Sequence, residues 1–108
     1  MNDDYFEFWN KVLFIIDSFK TNPNIEFEEG IFEKEEYRCF YAALVEFLIN
    51  KNNKQLPEWI NKKEYKLKTP WFINDYKTAD LRILIMVEAP VEFKSRNIFI
   101  ETDAFNRC

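Results

Sequence analysis

Residues 34–51 read KEEYRCFYAALVEFLINK, and the fold turns on this stretch. Tyr37, Phe40, Tyr41, Leu44, Phe47 and Leu48 recur at helical spacing and form a continuous apolar stripe. Cys39, Ala42 and Ala43 are small neighbours that let another helix approach closely. The spacing predicts a helix over residues 34–51, stopped by Asn50-Lys51-Asn52-Asn53-Lys54. Within it Cys39 reads as a small core residue rather than a nucleophile. Only Arg38 stands near enough to lower its pKa, and no base accompanies it.

Working back from this helix, residues 25–33 alternate briefly, meet Gly30, and predict an irregular loop, with room for a short turn of helix. Thr21-Asn22-Pro23-Asn24 carries breaker chemistry. It closes a first helix over residues 3–20, which Asn2 or Asp3 can cap. Tyr5, Phe8, Trp9, Val12, Leu13, Ile16 and Phe19 make up the face expected to be buried. Phe14 falls in the middle of the opposite, polar face, and is the first candidate for contact with another chain.

Working forward, Pro57 suits the start of a short helix at Glu58-Trp59-Ile60. Thr69-Pro70-Trp71-Phe72 is forced into an extended, aromatic-anchored segment. Residues 78–88 predict a third main helix, capped by Thr78 and ended by Pro90. Leu81, Ile83, Leu84, Ile85, Met86 and Val87 make it apolar nearly all round, which predicts the most buried element of the chain. The same run also fits a buried strand, although its length and capping favour a helix. Arg82, within it, is expected to pair with Asp80, Glu88 or Glu58. One helical turn over Val91 to Lys94, an extended or loop stretch over Asn97 to Ile100 and a short last helix from Thr102 or Asp103 to Cys108 follow. The expected fold is therefore all-α. It is a single domain over residues 1–108, with three main helices, short helical turns and a long aromatic-anchored loop across residues 52–77.

Composition bounds the chemistry. The 108 residues include no His and a single Gly, with 12 Phe, 5 Tyr and 3 Trp. Without His, the commonest general base and the commonest metal ligand are gone, and with them any Ser-His-Asp or Cys-His constellation within this chain. Cys39 and Cys108 cannot supply a four-ligand zinc site, and one Gly leaves no P-loop or dinucleotide fingerprint. The expectation is a protein with no cofactor and no metal that is not an enzyme by itself. Two distant cysteines without a disulfide pattern favour a reduced, cytosolic setting. The longest apolar stretch, Leu81 to Val87, is far short of the ~20 residues a membrane span needs. Met1-Asn2-Asp3-Asp4 is the opposite of a positive signal-peptide start.

Charge is unevenly placed. Residues 1–50 carry 11 acidic and 4 basic side chains, and residues 51–108 carry 8 acidic and 11 basic, so a net −4 conceals halves of −7 and +3. The division implies either a basic partner for the first half or an internal match between the halves. Under the first reading Glu28, Glu29, Glu33, Glu35 and Glu36, with Phe14, are the partner-binding candidates. A protein partner would be met by shape and charge, in the manner of an occluding regulator. An alternative is nucleic-acid binding by Lys62, Lys63, Lys66 and Lys68, with Tyr65 stacking on bases, although the sequence pI of about 4.9 argues against it. A third reading is an accessory subunit that completes a site in a partner enzyme.

The second half also carries a pattern: Leu56-Pro57-Glu58-Trp59, then Thr69-Pro70-Trp71-Phe72, then Leu81-Arg82-Ile83-Leu84, then Glu88-Ala89-Pro90 followed by Phe93, Arg96 and Asn97. Over residues 56–105 it resembles a group of small uncharacterised bacterial proteins with a PEW, PWF and E-[SA]-P-x-x-F-x-x-R-N pattern. Those proteins are similar to partners encoded beside nucleotidyltransferase-like genes, in the manner of toxin–antitoxin pairs. The resemblance implies an antitoxin-like or regulatory partner and includes no catalytic signature.

Overall fold

The computed structural model describes residues 3–74 and 76–101. Asn2 and the stretch after Glu101 lie outside the described residues, and with them part of the expected cap of the first helix and the whole of the expected last helix. The three main helices form as the sequence predicts: α1 (Asp3–Thr21), α2 (Glu35–Lys51) and α3 (Ala79–Glu88). A single turn, α4 (Val91–Lys94), follows Pro90. Between α2 and α3 the chain makes two 3₁₀ turns, Glu58–Asn61 and Lys63–Tyr65. The extended segments Trp71–Phe72 (β1) and Ile98–Phe99 (β2) pair as a small parallel ladder, Trp71 opposite Ile98 and Phe72 opposite Phe99.

α2 is the centre of the molecule. Tyr37, every residue from Cys39 to Val45, Leu48 and Ile49 are buried, so neither side of the helix faces water over its middle turns. Fully buried Cys39, Ala42 and Ala43 present little bulk, and α1, α4 and the 3₁₀ turns close in around them. α1 lays Phe8, Val12, Ile16 and Phe19 against it at 3–4-residue spacing. Phe8 is the pivot of this contact. Its ring stacks on Tyr37 at 4.2 Å between centroids and meets Phe40 and Phe32 edge-on at 5.1 and 5.4 Å. Leu13 departs from its expected place: it is exposed, because one residue on a helix is a 100° rotation and Val12 already marks the middle of the buried arc.

Aromatic side chains fasten both long connections. In the loop 22–34, Phe27 packs on Phe19, and Phe32 is buried against Phe8 and Tyr41. Tyr41 donates from its hydroxyl to the Glu28 carbonyl at 2.8 Å, and the Trp59 indole donates to the Phe27 carbonyl at 3.3 Å. Gly30 takes φ +83°, which a glycine adopts without steric cost. In the loop 52–78, Trp59 stacks on Tyr41, Ile60 is buried, and Trp71 reaches the Phe8–Phe40 cluster.

α3 is a helix, with the Thr78 hydroxyl accepting from the Leu81 amide at 3.2 Å as its N-cap. The expectation that it is the most buried element does not hold. Of its residues only Ile85 is buried, and with Ala89, Tyr76 and Phe99 it forms a small second cluster, Phe72 packed alongside, apart from the main core. Leu81, Ile83, Leu84, Met86 and Val87 are all exposed. The reason is topological: α2 takes the central position between α1 and α4, and among the described residues no further element covers the outer side of α3.

Candidate interaction surfaces

The acidic and basic candidates meet each other. Lys62 donates to both carboxylate oxygens of Glu29, at 3.0 and 2.8 Å, and the Tyr65 hydroxyl donates to the same carboxylate. The Lys62 hydrogen bond, and after it the Tyr65 one, hold the Glu29 carboxyl below its ordinary 4.5, and the Glu29 contact raises Lys62 in turn. Burial pushes the Tyr65 hydroxyl up, with the Glu29 carboxylate adding to it. This clamp ties the loop 22–34 to the second 3₁₀ turn, and it is an internal match between the two charge halves. The remaining glutamates face outward. Glu28, Glu33, Glu35 and Glu36 have exposed side chains, two of them in the first turn of α2, where acidic residues suit the helix dipole. At the same junction Arg38 donates to the Glu33 carbonyl at 2.7 Å. The candidates are not gathered into one cluster. Phe14 stands on the outward face of α1, Glu28 and Glu29 in the loop, and Glu33, Glu35 and Glu36 at the start of α2.

Of the residues read as a nucleic-acid surface, Lys63, Lys66 and Lys68 are exposed, but Lys62 is engaged by Glu29. Tyr65 is 5% exposed, edge-on to Trp59, and its ring is not presented for stacking on a base. The 62–68 segment is anchored by its tyrosine from inside.

Cys39 is fully buried, and its Sγ lies 3.6 Å from the Glu64 carbonyl. Burial, with Glu35 adding to it, pushes its pKa up to about 11, so the thiol stays protonated at neutral pH. Among the described residues no group of three His, Cys, Asp or Glu side chains is placed to hold a metal ion. The described helices also include none long and apolar enough to cross a membrane. An open depression of about 360 Å³ lies between α1 and the start of α2, floored by Phe8, Phe32 and Tyr37. Glu7, Lys11 and Glu33 stand at its rim, with Lys11 5.6 Å above the Phe32 ring.

The buried ion pair falls on a different arginine from the one expected. Arg82 directs its Nε to the Tyr76 carbonyl at 3.1 Å and lies over the Phe72 ring, with no carboxylate in that contact. Arg96 is the buried cation. It reaches Glu46 at 2.5 Å, the Glu92 carbonyl at 2.8 Å and the Ile60 carbonyl at 2.9 Å, joining α2, α4 and the first 3₁₀ turn. Next to it Asn97 takes φ 67° and donates from its side chain to the Leu67 carbonyl at 3.0 Å, while its own carbonyl accepts from Trp71. The R-N pair of the C-terminal pattern is thus a structural junction. Composition alone could not single out Arg96 over Arg82, but its position in the F-x-x-R-N pattern was the available signal.

Among the described residues, exposed apolar side chains gather on α1 and on α3. On α1, Phe14 is 72% and Phe6 63% exposed, with Leu13 beside them. On α3, Ile83 and Val87 lead the exposed group, and Val91 of α4 continues it. Sequence reasoning found Phe14 because it interrupts a polar face. It missed the α3 surface because a helix apolar all round reads as interior. No family model, curated protein or solved structure matches this chain.

Proposed function

We propose that this protein is a non-enzymatic, cytosolic protein–protein interaction module, an antitoxin-like or regulatory partner that covers a basic surface on another protein. The observation that carries this reading is the acidic segment from Glu28 to Glu36. It spends Glu29 on holding itself to the body of the protein and keeps Glu28, Glu33, Glu35 and Glu36 exposed. Exposed acidic side chains steer a basic partner in diffusional encounter and favour one orientation on docking. Phe14 and Phe6 offer apolar contact from the same half of the chain. The resemblance of residues 56–105 to partner proteins encoded beside nucleotidyltransferase-like genes supports the same class.

The test is affinity isolation from the native host with the wild-type chain and with Glu33→Lys/Glu35→Lys/Glu36→Lys, both checked for helix content. Supporting results are a bound protein whose retention falls steeply with salt and drops at least tenfold in the charge-reversed variant. Equal retention by both chains, or retention indifferent to salt, sinks the reading.

A further inference from the structure

We draw no further inference here: the strongest candidate, the exposed apolar face of α3 around Ile83, Leu84 and Val87, carries none, because nothing in the structure shows what covers it.

Discussion

Arg96 and Asn97 are adjacent, and between them they tie α2, α4 and the first 3₁₀ turn to the Leu67–Trp71 segment. Asn97 sits in the left-handed region, where a side chain other than Gly, Asn or Asp costs about 1–2 kcal/mol. Its amide also holds the Leu67 carbonyl. Asn97→Ala loses both the tolerated conformation and the hydrogen bond, an expected loss of about 2–3 kcal/mol. Asn97→Gly loses only the bond, and the difference between the two is measured by urea denaturation. Arg96, 4% exposed, is held by a carboxylate and two carbonyls. Glu46→Gln strands that cation and is expected to cost about 3–5 kcal/mol, whereas Glu46→Leu with Arg96→Met recovers most of it. A double-mutant cycle by denaturation reads the coupling.

The Glu29 clamp sets a pH dependence at the same scale. Its folded-state pKa is depressed by Lys62 first and Tyr65 second, so its contribution is present above the ordinary carboxyl value of 4.5 and is lost as pH falls through the lower folded value. Wild type is therefore expected to exceed Glu29→Gln in stability at neutral pH, with the gap closing below about pH 4.5. A gap independent of pH in thermal melts from pH 3 to pH 7 would contradict the clamp.

At the scale of elements, α2 and α3 exchange the roles that their sequences suggest. Both have apolar residues on more than one face. α2 also has small ones, Cys39, Ala42 and Ala43, and these admit neighbours on several sides. α3 has bulky residues throughout and a Pro immediately beyond its C-cap. Its retention as a helix rests on the Thr78 cap and a few contacts through Ile85. Thr78→Ala is expected to cost about 1 kcal/mol. The effect should be local, with faster hydrogen exchange at the α3 amides and little change in α2.

At the scale of the whole molecule, the described residues form two unequal apolar clusters. The large one gathers α1, α2, α4, the 3₁₀ turns and the aromatic loop anchors, and the small one holds α3 to β2. Leu44→Ala, in the large cluster, is expected to cost about 2–5 kcal/mol of global stability. Ile85→Ala is expected to cost less than half as much and to free α3 while α2 keeps its exchange protection. Equal global losses from the two substitutions would show a single cooperative core.

Periodicity and end chemistry were enough to read the three helices, the turn after Pro90, the loop at Gly30 and the extended aromatic segments, because caps, breakers and 3.6-residue spacing act within a few residues of chain. The same local reasoning found the −7/+3 division of charge and the exclusion of histidine chemistry. It could not say which charges neutralise each other. Glu29 with Lys62 and Glu46 with Arg96 stand 33 and 50 positions apart, and only the packed chain brings them together. Nor could it tell which apolar helix lies inside. Hydrophobic spacing records that a face avoids water, but whether another element arrives to cover it depends on how many elements the chain has and in what order they pack. For α2 they arrive from several sides. For α3 they do not, and that difference turns the most apolar run of the sequence into a surface.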